Sequence, residues 1–299
     1  MNRKPVIVIA GCTGSGKSDI ALKLAKEING VIINADSKQI YKEISIGTAR
    51  PIPDKVEDDI WYIQGIKHYL YGYISINEKY NIYRYQQDVS KILRELRSNE
   101  IPILVGGTGL YIDSVIFNYK LRENSNNQLT EKSFLKDKSI EELQKLISQE
   151  QLRKLNKSDR NNPRRLIRII ENGLPSTEKG EPLKHIYFII DIEKDPLEER
   201  IITRVKKMFK NGLLQENKNI KQQESYKYSS LDIIGYKEFE DYFNNKKTLE
   251  EIEKDIVTHT KQYAKRQRTW FRKNPNSIFI KEFKDMLKKT KDFLSYYRG

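Results

Sequence analysis

The stretch that decides the fold is Pro5-Val-Ile-Val-Ile-Ala10 running directly into Gly11-Cys12-Thr13-Gly14-Ser15-Gly16-Lys17-Ser18. Its first half is a short apolar, β-branched run of the kind a parallel sheet buries on both faces. Its second half fits G-x-x-x-x-G-K-[ST], the P-loop pattern, and an amphipathic helical pattern over 17–28 follows as that motif requires. Glycines let backbone N–H groups converge on phosphate oxygens, and the helix amino terminus adds its dipole. Lys17 supplies a point charge and Ser18 a hydroxyl ligand suited to Mg²⁺.

Outward from this unit, Asn29-Gly30 reads as a helix stop and Val31-Ile-Ile-Asn34 as a second strand. A helical pattern over 83–98 precedes Ile101-Pro-Ile-Leu-Val105, a third strand ending in Gly106-Gly107-Thr108-Gly109. This β-α-β-α-β order predicts an α/β fold, a P-loop NTPase-like parallel sheet flanked by helices. From residue 120 the pattern turns polar and helical. Residues 123–128 read as a linker, and Ser139 with Glu142 forms a capping-box signature opening a helix over 140–155. Another helix covers 164–172, and His185-Ile-Tyr-Phe-Ile-Ile190 returns the chain to the sheet. The expected organisation is therefore a catalytic core of 1–119 and 185–299, helical in its C-terminal part, with a helical insertion at 120–184.

Composition narrows the function. In 299 residues, 55 Lys and Arg oppose 41 Asp and Glu, a net charge of +14, with a pI near 9.4 and a mean hydropathy of −0.72. Such an excess points to a polyanionic partner, or to a lysine-biased surface that merely keeps the protein in solution. No run approaches about twenty apolar residues, so no membrane span is expected. With no leader pattern at Met1-Asn2-Arg3-Lys4, a cytoplasmic protein is expected. The single cysteine, Cys12, excludes an intramolecular disulfide, and His68, His185 and His259 are too scattered for a zinc site. Nothing argues against a monomer.

A phosphate cradle does not say which phosphate it holds. An ATP- or GTP-dependent kinase for a small metabolite is one reading, and a nucleic-acid-binding NTPase another. Asp191, after the 185–190 strand, is either the acid that completes a Mg²⁺ shell or a surface residue opening the next loop. Asp36 and Ser37 follow the second strand, where carboxyl ends of parallel strands face the ligand crevice, although both residue types also favour helix caps. A thiol at Cys12, beside a helix amino terminus, is either reactive or an inert packed group.

Several segments together resemble tRNA dimethylallyltransferases, also called tRNA isopentenyltransferases. They are Asp36-Ser37-Lys38-Gln39-Ile-Tyr41 with Ile46-Gly47-Thr48-Ala-Arg50-Pro51, Leu104-Val-Gly106-Gly107-Thr108-Gly109-Leu-Tyr111, and Asn162-Pro-Arg164-Arg165-Leu166-Ile167-Arg168. Further on come Arg204-Val-Lys-Lys-Met208, Ile234-Gly235-Tyr236-Lys237-Glu238, and Ala264-Lys265-Arg266-Gln267-Arg268-Thr269-Trp270-Phe271-Arg272. They occur in family order over about nine-tenths of the chain. The chain departs from the family at Cys12-Thr-Gly14, where Pro-Thr-Ala is usual, and at His68-Tyr-Leu-Tyr-Gly72, which lacks an acid.

The resemblance implies transfer of a dimethylallyl group from its diphosphate to the exocyclic amine of adenine 37, beside the tRNA anticodon. The P-loop, 11–18, would then grip a diphosphate leaving group with Mg²⁺ on Ser18, and Arg204 would join it. Asp36 would be the general base and Thr108 a positioning hydroxyl, giving Asp36, Thr108 and Arg204 as catalytic residues. Expected tRNA contacts are Asp36, Ser37, Lys38 and Gln39, then Arg164, Arg165, Leu166, Ile167 and Arg168 in the insertion. Gly235, Tyr236 and the 265–272 segment complete them. Arg164 and Arg168 stand four residues apart, repulsive unless an anion lies between them. The partners implied are the tRNA anticodon stem-loop and dimethylallyl diphosphate.

Overall fold

The computed structural model describes residues 4–121, 133–135, 137–174, 178–222 and 231–298. The expected linker at 123–128 lies outside them. Contacts divide the chain into two compact units, one running through Asn118 and resuming at Glu181, the other Tyr119–Gly180.

The larger unit is built on an eight-stranded sheet of order β3-β4-β5-β2-β6-β1-β7-β8. Central strand β1 (Val6–Gly11) is parallel to β6 (Ile101–Gly106) and to β7 (His185–Ile190), with Ile7 opposite both Ile103 and Ile186. All six β1 residues are buried because both faces are covered. Ile7 and Ile9 pack on Ala21, Leu24 and Ala25 of α1 (Lys17–Ile28), whereas Val6 and Val8 share a cluster with Tyr85, Ile112 and Phe271. Tyr85 lies on α2 (Ile82–Glu95) and Ile112 on α3 (Gly109–Ile116). Alternate side chains of one strand thus stabilise two separate helical layers.

α1 stops as predicted, with the left-handed turn on Asn29 (φ 54°); Gly30 already begins β2 (Gly30–Asn34). A Cβ on Gly30 would stand 2.7 Å from Ile103 Cδ1, so its glycine serves close packing. The α/β expectation holds, with two additions. A meander of β3 (Lys55–Glu57), β4 (Ile60–Ile63) and β5 (Ile66–Tyr69) adds antiparallel pairs at one edge. Its two-residue turns carry positive φ at Asp58 and Asp59 and at Gln64 and Gly65, the backbone that matches strand twist. At the other edge β8 (Ser277–Ile280) pairs in parallel with β7, within a stretch expected to be helical. Beyond β7 come α8 (Lys194–Lys210), α9 (Leu213–Gln222), α10 (Phe239–Phe243), α11 (Leu249–Phe271) and α12 (Phe283–Arg298).

The smaller unit, Tyr119–Gly180, carries four α-helices among its described residues. Ser139 and Glu142 form the predicted capping box, but the 140–155 helix is two: α4 (Ile140–Lys145) and α5 (Gln149–Arg153). Ser148 breaks it by capping the second helix through the Gln151 amide. After α6 (Lys157–Arg160), α7 (Pro163–Asn172) starts with Asn162 as its cap and Pro163 in its first turn. Leu166 and Ile169 turn inward onto Leu135, Leu143 and Ile147.

Candidate active site

Strand β1 ends where the chain must reverse tightly into α1. Gly14 and Gly16 take left-handed φ of 81° and 86°, which a side chain would strain. Ser15 N donates to Cys12 O at 3.2 Å, closing the loop. Gly16 caps α1 without a side-chain acceptor, which leaves the first-turn amides for an anion. Lys17 folds back, its Nζ 3.3 Å from Cys12 O. Burial pushes the Lys17 ammonium below the usual lysine range and Arg204 reinforces this, while Asp36 opposes it. The Ser15 hydroxyl is buried with no partner, and Ser18 is exposed at the helix start.

The Thr13 amide is already donated to Gln267 Oε1 at 2.9 Å, so it is not a free anion donor. The Cys12 thiol is buried at 1% exposure. Burial raises it above the usual thiol range, with Lys17 only partly offsetting this. Cys12 is the packed group, not the reactive one.

Across the crevice, Asp36 follows β2. Its amide donates to Asn34 Oδ1 at 2.9 Å and its Oδ1 accepts from Lys38 N at 3.0 Å. Asn34 is itself fixed, donating to Leu70 O at 2.9 Å and accepting at its carbonyl from the Tyr85 hydroxyl at 3.1 Å. The carboxylate is thereby aimed by local turns. Its negative charge acts on Lys17, Lys38 and Arg204, supporting the charge of each against burial. It also helps hold Tyr71, Tyr111 and Tyr263 protonated, where burial is the larger cause. Thr108 completes this side: its Oγ1 accepts from Ser37 N at 3.0 Å and lies 3.3 Å from Ser37 Oγ.

Arg204, on α8, enters between these halves. Burial lowers its guanidinium and Asp36 counters this, while its NH2 donates to Thr48 O at 3.0 Å. Of the three residues assigned to chemistry, Asp36 is within electrostatic reach of Arg204, and of Lys17, and Thr108 adjoins it through Ser37.

The residues assigned to RNA separate into two groups. Gln39 is spent on Thr48 O and Ala49 O, at 3.0 and 3.3 Å. Tyr236 is fully buried, its hydroxyl donating to Glu216 Oε1 at 2.5 Å and accepting from Gly47 N at 3.1 Å. Gly235 adopts φ 92°, its amide held by Glu238 at 2.8 Å. Gln267, Phe271 and, in the other unit, Leu166 are also buried. Tyr236, Gln267, Phe271 and Leu166 thus have no side-chain surface to offer RNA, whereas Gln39 is half-buried. Lys265, Arg266, Thr269 and Arg272 do lie exposed along α11. Trp270 is pinned by its indole N–H to Asp113 at 2.9 Å.

Asp191, half-buried just past the end of β7, is paired with two arginines. Its carboxylate faces Arg268 Nε at 3.1 Å and Arg272 NH2 at 3.5 Å, latching α11 to the end of β7. On α7, Arg164, Arg165 and Arg168 are exposed and Ile167 half-buried. Arg165 pairs with Asp159.

Two neighbours of these groups were not among the expected site residues. Tyr263, one turn before Gln267 on α11, faces Asp36 and Thr108. Arg200, one turn before Arg204, has its NH1 3.5 Å from where a side chain on Gly16 would begin. The signal for both was present, as i,i+4 partners of residues already singled out. Among the described residues no group of three His, Cys, Asp or Glu side chains could hold a metal ion, and no helix is long and apolar enough to cross a membrane.

Comparison with known proteins bears on this crevice. The family model described as IPP transferase matches residues 39–274. The tRNA dimethylallyltransferase of Acholeplasma laidlawii is 35% identical over 281 residues, covering 90% of this chain and 89% of that protein. That of Bacillus mycoides is 33% identical, covering 100% and 96%. Among solved structures, the full-length tRNA isopentenylpyrophosphate transferase of Bacillus halodurans superposes with a TM-score of 0.70 at 29% identity, covering 98% of this chain and 96% of that one. A eukaryotic dimethylallyltransferase acting on tRNA gives the same TM-score and identity, over 89% and 69%.

Proposed function

Because this chain belongs to the IPP transferase family of tRNA dimethylallyltransferases, we propose a division of labour in which its P-loop holds a leaving group and its Asp36 receives a proton. The reaction moves the dimethylallyl group from dimethylallyl diphosphate to N6 of adenine 37 in tRNA, giving N6-(dimethylallyl)adenosine and diphosphate. The observation that carries the assignment of roles is one carboxylate, Asp36, within electrostatic reach of both Lys17 and Arg204.

The adenine amine is a weak nucleophile, its lone pair delocalised into the ring. As N6 bonds to the allylic carbon, the carbon–oxygen bond breaks, its electron pair leaves on the diphosphate, and the amine proton passes to Asp36. The charge that develops on the departing oxygens meets Lys17, Arg204 and the first amides of α1, all fixed beforehand. Their partial burial strengthens that attraction. Thr108, held by Ser37 beside Asp36, orients the base edge.

The loop suits Mg²⁺ as a companion of the diphosphate. Ser18 offers a hard oxygen at the cradle mouth, the orphaned Ser15 hydroxyl points to a polar occupant, and without a carboxylate cage the remaining ligands would come from diphosphate and water. When bound, Mg²⁺ would spread the charge of the leaving group.

To reach the amine, adenine must leave its stack, at a cost of a few kcal/mol that a single-stranded loop reduces. Exposed Lys265, Arg266 and Thr269 on α11, and Arg164 and Arg168 on α7, are the groups we assign to the anticodon stem-loop. We place the protein in the cytoplasm as a monomer. The small-metabolite kinase reading loses its acid, because Asp191 is engaged by two arginines.

The test incubates the protein with labelled dimethylallyl diphosphate, Mg²⁺ and unmodified tRNA. Label should appear on adenine 37 with release of diphosphate and no consumption of ATP. Failure of wild-type protein to label tRNA, or a requirement for nucleotide hydrolysis, would overturn the assignment.

A further inference from the structure

Gln267 is a buried amide side chain that joins two motif turns. Its Oε1 accepts from Thr13 N at 2.9 Å and its Nε2 donates to Gly107 O at 2.8 Å. Thr13 belongs to the loop after β1 and Gly107 to the turn after the neighbouring strand β6, at 254 and 160 residues' separation from Gln267. The approach is so close that a Cβ on Gly107 would stand 2.2 Å from Gln267 Nε2. The next residue, Thr108, holds Ser37 N at 3.0 Å, and Ser37 adjoins Asp36. An unbroken chain of contacts therefore runs from the anion loop through Gln267 to the acid side of the crevice. Its central link sits on α11, whose outward face carries Lys265 and Arg266.

We infer that Gln267 is a positioning residue of the transfer reaction, setting the distance between the leaving-group cradle and the Asp36–Thr108 wall. This rests on the function proposed above. Reaction requires the attacking nitrogen, the allylic carbon and the leaving oxygen in line, and a misplacement of about 1 Å costs on the order of a hundredfold in rate. Two separate turns on flexible glycines do not fix that distance alone. A side chain with one acceptor and one donor, aimed at an N–H on one turn and a carbonyl on the other, does. The amide is required for both polarities: a carboxylate satisfies Thr13 N but repels Gly107 O.

Gln267→Glu and Gln267→Met separate positioning from folding. Met keeps the buried volume without either hydrogen bond. Glu restores the donor only when protonated, and burial raises its pKa. With wild-type protein active on tRNA, we expect the single-turnover rate of Gln267→Met to fall about a hundredfold, with tRNA affinity essentially retained. For Gln267→Glu we expect the rate relative to wild type to rise as pH falls, because the protonated acid mimics the amide. Rates are normalised to folded sites counted by tRNA titration, and melting is followed in parallel. A purely structural role would lower melting temperature and active fraction while leaving the rate per folded site and its pH profile unchanged. That outcome, or wild-type rates in both variants, would overturn the inference. Wild-type protein that transfers nothing would instead refute the function on which it rests.

Discussion

Asp36→Asn isolates the chemical role of the crevice acid. The amide keeps an acceptor for Lys38 N at 3.0 Å, and both links to Asn34 involve Asp36 backbone, so the turn that aims the side chain survives. What is lost is the capacity to take a proton and the negative charge facing Lys17, Lys38 and Arg204. A positioned general base contributes on the order of 10²–10⁴ in rate, equal to about 3–5 kcal/mol of barrier. Donor binding moves the other way, since Lys17 and Arg204 no longer share their field with a carboxylate; diphosphate should bind as well as before or more tightly. Stability should fall, because three partly or wholly desolvated cations lose a counter-charge. The assay is single turnover with enzyme in excess over labelled donor and tRNA, alongside filter binding of tRNA. We expect the rate to drop by at least a hundredfold and tRNA affinity to change by less than about threefold, under 1 kcal/mol. An Asn variant retaining more than about a tenth of the rate, or losing it solely through weaker binding of either substrate, would remove Asp36 from its assigned role.

Other outcomes follow from particular contacts. Since burial lowers the Lys17 pKa and the cation is the bound form, pyrophosphate affinity should decline as pH rises through a value below the usual lysine range, whereas Lys17→Arg should stay flat. Calorimetric titrations showing the two proteins parallel to about pH 10 would contradict this. Arg168→Ala should reduce the slope of log affinity for tRNA against log salt by about 0.7–0.9, and Arg165→Ala by less, because Asp159 already pairs with Arg165; the reverse ranking would count against these assignments. Leu166→Ala empties a fully buried position at a cost of about 2–5 kcal/mol. Hydrogen exchange should rise within residues 119–180 while pyrophosphate binding by the other unit persists, and an unchanged exchange pattern would show the core there to be elsewhere. Cys12, buried and with its thiol pKa raised, should label slowly with or without pyrophosphate; rapid labelling of native protein would disprove its packing.

The elements legible from sequence were those whose signals are local. β1, α1, β2, β6 and β7 each combine a β-branched run or a 3.6-residue period with a glycine, asparagine or capping residue at its end, and the structure places them within a residue or two. The meander was hidden because Lys55–Glu57 is an exposed three-residue strand whose turns rely on Asp58, Asp59 and Gln64 rather than on the Asn-Gly or Asp-Gly pairs that announce such turns. β8 was hidden because four residues between helices carry no periodicity of their own; they become a strand by pairing with β7. In the smaller unit, Ser148 has the same cap chemistry as Ser139, but an apolar pattern that continues across it masks the break.

The site was legible in its parts and not in its assembly. A P-loop declares itself because its ligands are consecutive backbone groups, so sequence spacing is spatial spacing. The acid wall and the arginine come from β2, β6 and α8, and only the sheet order makes them neighbours. Helix α11 shows the consequence most clearly. Its run of lysine, arginine, glutamine and aromatic residues looks like one RNA-facing surface when judged by residue type, yet Ala264, Gln267 and Phe271 form its buried stripe, recurring at i, i+3 and i+7. Composition favoured contact with RNA for the whole segment, whereas helical period assigns alternate residues to the crevice wall and to solvent. The same helix explains two glycines that no left-handed φ requires: at Gly107 the missing Cβ makes room for Gln267, and at Gly109 for the Trp270 ring, 2.2 Å from where that atom would be. Two motifs far apart in sequence are thus one packing solution, in which the turn after β6 gives up side chains so that α11 can touch it.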